Sequence, residues 1–319
     1  MTRSEMWAWQ RGAEGSTLSE RDHWLALALV PGVGPKMMSR LLKHFGSAAA
    51  VFEASLEELT AVSRVGQELA RRILDTPVER VCFELTTLAD EGIAVLIPTD
   101  EGYPAPLHRL LDAPPVLFMR GEWRLEDEQA VAIVGSRRAS PQGMAMAERL
   151  AGELVILGFT IVSGLARGID TAAHRGALAA GGRSVGVLGS GIRLIYPREN
   201  TALAEEMARQ GAVLSEWPPN APAQPATLMA RDRLIGGLSL GVIVVEAMER
   251  SGSLDTAHKA RRQGKALFAW KGGGVGALSL IAEGAMPLDE RPAPEAIART
   301  LSQWHADSPT PQPRQMDLF

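Results

Sequence analysis

The 319-residue chain is poor in cysteine and in aromatic side chains: it has one cysteine, Cys82, two tyrosines and an aromatic content of 5%. A single thiol excludes an intrachain disulfide framework and fits a reducing, cytoplasmic setting. The first fifteen residues, MTRSEMWAWQRGAEG, contain no apolar h-region, so export is not expected. No apolar run reaches membrane-spanning length. Metal-ligand spacings such as H-E-x-x-H or C-x-x-C are missing, and neither a metal nor a cofactor is expected. Lysine is scarce: Lys36, Lys43, Lys259, Lys265 and Lys271 are five of 33 basic residues, leaving 28 arginines. A GC-rich coding bias accounts for that excess as readily as bidentate phosphate recognition does. The net charge of −4 argues against a uniformly basic, nucleic-acid-coating surface but leaves room for a local cationic groove.

What is present describes an ordinary globular chain, 46% hydrophobic and 22% charged, long enough for one large and one small domain. Residues 130–189 organise it. The apolar run 131–134 reads as a buried strand that stops at Gly135-Ser136-Arg137. Ser140 and Pro141 then stand as N-cap and first residue of a helix whose apolar positions are Met146, Leu150, Leu154 and Leu157. A second strand at 159–162 breaks at Ser163-Gly164, and Asp170 is placed to cap the next helix. A third strand at 185–188 ends at Gly189-Ser190-Gly191. Such alternation implies parallel strands with right-handed crossovers, and ligands bind at the strand ends of open sheets of this kind. Further on, Asn200 caps a helix to Gln210, strands are expected at 213–214, 242–245 and 266–270, and a helix runs to Gln263. The expected fold is α/β, an extended Rossmann-like, doubly wound and mostly parallel sheet.

Upstream, residues 18–98 read as a small helical domain behind a disordered leader (1–17), with a strand at its end, 92–98. Pro31-Gly32-Val33-Gly34-Pro35-Lys36 is the turn of a helix-hairpin-helix, and a degenerate copy at 59–74 has Val65-Gly66 as its hairpin. In that motif hairpin amides meet a DNA phosphate, which makes Gly32, Gly34 and Lys36 candidate contacts; a packing or dimer module fits the same pattern. The large domain is bounded at 99–289, and the Pro-rich stretch 290–319 reads as an irregular or disordered tail.

No catalytic constellation emerges. Gly237-Leu238-Ser239-Leu240-Gly241 matches G-x-S-x-G, but the strand follows Ser239 where a nucleophile elbow needs it to precede. His174, one helical turn after Asp170, is read as a structural histidine held by it. The first turn lacks G-x-G-x-x-G and no acid ends the second strand, which disfavours a dinucleotide. Phosphate binding suits the pattern better. Ser163-Gly164, Ser190-Gly191 and Ser251-Gly252 offer hydroxyl and amide donors at helix starts, with Arg137, Arg231 and Arg233 nearby. Gly and Ser are also favoured in β–α turns for steric reasons alone. Several phosphate sites on one rim suit a strand backbone rather than a mononucleotide.

In residue order, VAIVGSR (131–137), IVSGLARGID (161–170), His174 with Ala177-Leu178, VLGSG (187–191), Tyr196-Pro197, Leu214-Ser215-Glu216, VVEA (244–247) and Ser251-Gly252-Ser253 resemble the DprA/Smf family. With the lead-in DAPPVLFMRG (112–121), the resemblance covers roughly residues 20–287. It implies an extended Rossmann domain that binds and protects single-stranded DNA, a homodimer, and loading of the RecA recombinase in transformation or recombination, without enzymatic activity. It assigns Gly135, Ser136, Arg137, Ser163, Gly164, Arg167, Gly191, Arg231, Arg233, Ser251 and Gly252 to the phosphate pocket. Where the family has F-P-x-R-N-R, this chain reads Leu228-Met229-Ala230-Arg231-Asp232-Arg233, losing an aromatic and gaining an acid. The winged-helix domain that many members carry at the C-terminus is not expected. The closing residues Gln315-Met316-Asp317-Leu318-Phe319 resemble the peptide with which bacterial proteins dock on the sliding clamp, through Gln315, Leu318 and Phe319. Two alternatives stand beside this reading. One is a nucleotide-hydrolysing relative of the phosphoribohydrolases, whose P-G-G-x-G-T-x-x-E has only Ser251-Gly252-Ser253-Leu254-Asp255-Thr256 as its counterpart. The other is a clamp adaptor.

Overall fold

The computed structural model describes residues 18–249 and 251–307. The chain divides between Thr87 and Leu88 into two compact units. In the first, helices α1 (Glu20–Leu29), α2 (Pro35–Phe45), α3 (Ala48–Glu53), α4 (Leu56–Ala61) and α5 (Gln67–Leu74) enclose a core that includes Leu27, Met38, Leu41, Leu59 and Ile73. Their starts are chemically marked. Ser19 and Ser55 each accept from the amide three residues on, and Asp22 and Glu58 reach back to the cap amides. Helix α6 (Val78–Asp90) spans the division.

The second unit is a nine-stranded sheet in the order β1-β2-β6-β5-β4-β3-β7-β8-β9. Its strands are β1 (Ile93–Leu96), β2 (Leu117–Gly121), β3 (Ala130–Val134), β4 (Thr160–Ser163), β5 (Ser184–Val187), β6 (Ala212–Ser215), β7 (Gly241–Val244), β8 (Ala266–Trp270) and β9 (Met286–Leu288). Strands β3 to β9 are parallel, and β1 and β2 add an antiparallel edge. Period-two alternation sends each strand's side chains into two cores. Ala130, Ala132 and Val134 of β3 pack with helices α10 (Pro225–Leu238), α11 (Gly252–Arg262) and α12 (Gly274–Ala282). Val131 and Ile133 pack on the other face with α7 (Pro141–Ile156), α8 (Ile169–Ala179) and α13 (Pro294–Asp307). The remaining helix, α9 (Thr201–Gln210), leads into β6.

Two expectations are corrected, and two further stretches add elements. The strand Ile93–Leu96 pairs along its length with β2, so the sheet unit takes in residues assigned above to the helical domain. Between β6 and β7 the chain forms α10, a full helix started by Pro225 and ended at Ser239. The sheet does not end at β8, since α12 and β9 continue it. The stretch read as an irregular tail contains α13, because Pro294 supplies a helix start and Ile297 and Leu301 fall on one face. Both are buried, at 2% and 0% exposure, and Leu301 lies against Gly241, where a Cβ would meet its Cδ2 at 2.5 Å. The leader 1–17 and the residues from 308 on lie outside the described residues.

Leu301→Ala removes a side chain with no exposed surface and is expected to destabilise the protein by about 2–5 kcal/mol. A denaturant midpoint equal to that of the wild type would show that α13 contributes nothing to the core.

Candidate functional site

Strands β3, β4, β5 and β6 follow one another to one side of β3, and β7, β8 and β9 lie on the other. The order therefore reverses between β3 and β7, and a crevice opens at their carboxyl ends. The loop leaving β3 is Gly135-Ser136-Arg137, and it is held from three sides. The Ser136 amide donates to the Glu246 carbonyl oxygen at 2.7 Å, and the Ser136 carbonyl accepts from the Ile169 amide at 3.2 Å. The Glu246 carboxylate accepts from the Ser140 amide at 3.0 Å and from its hydroxyl at 2.6 Å. Ser140 in turn caps α7 by accepting from the Gly143 amide, as expected from the sequence. Glycine is required twice here. A Cβ at Gly135 would meet Ile169 Cγ1 at 2.6 Å and the Glu246 carbonyl at 2.9 Å. Gly168 has φ +71° and lies against the Ser136 and Arg137 backbone.

On this fixed turn Arg137 and Arg138 are exposed, and neither guanidinium has a partner among the described residues. The opposite lip is Ser251-Gly252 at the start of α11. Gly252 is exposed with open space around it, and the Ser251 hydroxyl caps its own helix by accepting from the Ser253 amide. Arg167 is exposed but already paired, Nε and Nη2 donating to the Glu199 carboxylate at 2.5 and 2.7 Å.

Several residues assigned above to phosphate binding are placed otherwise. Ser163 is fully buried and donates its hydroxyl to the Ile133 carbonyl. The Gly164 amide donates to the Asp170 carboxylate at 3.1 Å. The Gly191 amide donates to the Ala221 carbonyl, and the Ser190 hydroxyl to the Leu194 carbonyl. These donors are consumed internally because the β4 and β5 turns are buried. Arg231 is 4% exposed; it donates to the Gly164 and Val187 carbonyls and to Asp232 Oδ1 at 2.8 Å. Arg233 donates both terminal nitrogens to the Glu216 carboxylate at 2.5 and 2.6 Å, and its Nε stands 3.1 Å from Asp112. Neither arginine is a free cation at the rim. Both tie α10 to the sheet ends.

Around Arg231 the charges are unevenly matched. Burial raises Asp170, against the opposing pull of Arg231 and of the Ala166 and Gly164 amides. Asp232 is pushed up to about 6 by burial, with Arg231 opposing. Asp170 occupies the first turn of α8 rather than its cap, and it does not hold His174. The His174 Nδ1 instead pairs with the Ser184 hydroxyl at 2.7 Å, and burial together with Arg231 lowers its pKa to about 3, so the ring stays neutral. Asn200 stands at the α9 cap position but sends its amide to the Leu165 carbonyl and to Thr171. Ser239 is 1% exposed and donates to the Ile235 carbonyl. No group of three or more potential metal ligands occurs among the described residues. No helix among them is long and apolar enough to cross a membrane.

In the first unit the two hairpins repeat each other at an offset of 32 residues. Val33 donates to Val30 and Val65 to Val62, at 2.9 and 3.0 Å. Gly32 (φ +102°) and Arg64 (φ +68°) both take left-handed backbone. Arg40 reaches across to the Ser63 carbonyl and Arg72 to the Pro31 carbonyl, each at 3.1 Å. Gly32, Gly34 and Lys36 are exposed at the first hairpin, while the second has Glu68 where the first has Lys36.

The family described as DNA recombination-mediator protein A matches residues 94–297, most of the sheet unit. The chain belongs to this family. A SAM-like helix-hairpin-helix tandem matches residues 25–76. The Smf protein of Synechocystis is 36% identical over 256 residues, covering 79% of this chain and 64% of that relative, so the chain spans less than two thirds of its length. The crystal structure of DNA processing protein A from Streptococcus pneumoniae superposes with a TM-score of 0.75 at 30% identity, over 89% of this chain and 98% of that one. DNA processing protein A from Helicobacter pylori, whose structure is described as giving insight into its single-stranded DNA binding mode, superposes at 0.59 and 30% identity, over 66% of this chain and 96% of that one. The residue that holds this turn and that sequence reading missed is Glu246. It was legible only as part of VVEA, and its partner Ser140 is 106 residues away.

Because the folded pKa of Asp232 lies above the unfolded 3.8, the native state holds the extra proton between pH 4 and about 6, and this group's contribution falls as pH rises through that window. The stability of Asp232→Asn relative to wild type is therefore expected to rise from pH 4 to about 6 and then level off. Chemical denaturation across this range checks it, and a pH-independent difference would contradict it.

Proposed function

We propose that the rim between β3 and β7 binds the backbone of single-stranded DNA and that the protein acts in recombination or transformation, without catalysis, by covering the strand and passing it to RecA. The observation that carries this reading is Arg137, exposed and unpaired on a turn that Glu246, Ile169 and Gly168 hold rigid. A fixed guanidinium beside helix-start amides suits a phosphodiester, which binds without reorganising the site. Gly135, Ser136, Ser251 and Gly252 complete the contact, while Arg167 would have to leave Glu199 to join it. The Helicobacter pylori relative's single-stranded DNA binding supports the ligand class. A nucleotide hydrolase is the second reading, disfavoured because Leu254-Asp255 follow Ser251-Gly252-Ser253 where those enzymes carry glycines and a glutamate.

The hairpins add a separate proposal, a second phosphate contact at Gly32, Gly34 and Lys36 in the first unit. A homodimer and a sliding-clamp contact through Gln315, Leu318 and Phe319 belong to the same proposed role; those three residues lie outside the described part of the chain.

Binding titrations on single- and double-stranded DNA test these assignments together. Arg137→Ala is expected to weaken single-strand binding about tenfold and to reduce the dependence of log K on log salt by about one. Lys36→Ala should spare single-strand binding and weaken duplex binding. Normal single-strand affinity in Arg137→Ala would overturn the rim assignment. Deleting residues 315–319 should abolish binding to purified sliding clamp, and unchanged binding would remove the clamp from the proposal.

A further inference from the structure

A phosphate-binding rim alone accepts any polyanion. What distinguishes a single strand is its unpaired bases, which need a flat side chain beside the phosphate path. Leu228 does not provide one. It is aliphatic and packs on Gly189, where a Cβ would lie 2.7 Å from its Cα. The chain has two tyrosines. Tyr103 is 3% exposed and donates its hydroxyl to the Pro114 carbonyl at 2.9 Å. Tyr196 is 46% exposed, and its hydroxyl has no partner among the described residues.

We infer that Tyr196 is the base-stacking residue of this rim, carried on an anchored loop that joins, through the β4 loop, the turn bearing Arg137; the assignment rests on the single-strand reading above. Single surface aromatics are ordinary, but Tyr196 is set apart by what fixes it. Before it, the Ser190 hydroxyl holds the Leu194 carbonyl. After it, Glu199 is bound in bidentate fashion by Arg167. Next, Asn200, 4% exposed, donates to the Leu165 carbonyl and the Thr171 hydroxyl, both at 2.9 Å. The β5 loop is thus anchored to the β4 loop on the C-terminal side of Tyr196, and Gly168 of that β4 loop lies against the Arg137 backbone. Arg167, the neighbour of Gly168 in that loop, is the residue that binds Glu199 three positions after Tyr196. With the backbone on either side of Tyr196 anchored before the ligand arrives, only its side chain is left to be ordered on stacking, which lowers the cost of binding.

The test compares full-length wild type, Tyr196→Phe and Tyr196→Ala by fluorescence anisotropy, using an oligothymidylate and an abasic oligodeoxyribose phosphate of equal length at several salt concentrations. Wild type and Tyr196→Phe should prefer oligothymidylate. Tyr196→Ala should lose about tenfold on oligothymidylate, about 1.4 kcal/mol, with unchanged affinity for the abasic strand and an unchanged salt slope. Equal losses on both strands, or none on either, would overturn the stacking assignment while leaving the phosphate rim in place. A wild type that binds neither strand overturns the single-strand reading and this assignment with it.

Discussion

The site depends on the parallel pairing of β3 with β7, which sets Val134 opposite Val244 and so brings Glu246 to the turn that follows β3. Two backbone contacts and one carboxylate then do what a flexible glycine turn cannot do for itself. They hold Ser136 in place, seat the Ser140 cap of α7 and leave Arg137 facing outward. A phosphate ligand that had to order this loop would lose affinity to the ordering; here the loop is ordered by folding. The same contact explains why Gly135 and Gly143 have no side chain, since a Cβ at either would run into Glu246.

A second layer lies beneath the rim. Arg231 joins the ends of β4 and β5 to α10 by donating to the Gly164 and Val187 carbonyls. Burying a guanidinium is costly unless every donor finds an acceptor and a counter-charge is near. Asp232 and Asp170 supply that charge, and burial holds both carboxylates above their usual range despite the opposing pull of Arg231. The acid that replaces the family's asparagine therefore serves the interior. Arg233, bound to Glu216 and Asp112, does the same at the end of β6. The side chains these networks do not use, Arg137 and Arg138, are the ones left exposed.

Much of the fold was legible. The strand runs around Val131–Val134 and 242–245, the Ser140-Pro141 helix start and the hairpin glycines each carry a local signal, and each is where the sequence placed it to within a residue or two. Elements lacking such a signal were missed. Helix α10 buries Arg231 and Asp232 beside its apolar residues, so no apolar period stands out, and α13 was masked by the prolines around its start. At the site, Arg137 was legible as the exposed end of a strand. Arg231 and Arg233 were not distinguishable from it, because Arg-x-Arg looks the same whether it faces water or the core.

The sequence by itself determined the alternation of strand and helix, the parallel sheet and the location of ligand-sized turns at strand ends, because periodicity and turn chemistry act over a few residues. The tertiary structure decided which of those turns is open. Ser163-Gly164 and Ser190-Gly191 have the same composition as Ser251-Gly252, yet the first two spend their donors on Asp170, Ala221 and neighbouring carbonyls, while Gly252 faces solvent. Burial and hydrogen-bond partners are supplied by residues tens to more than a hundred positions away, and no local pattern records them.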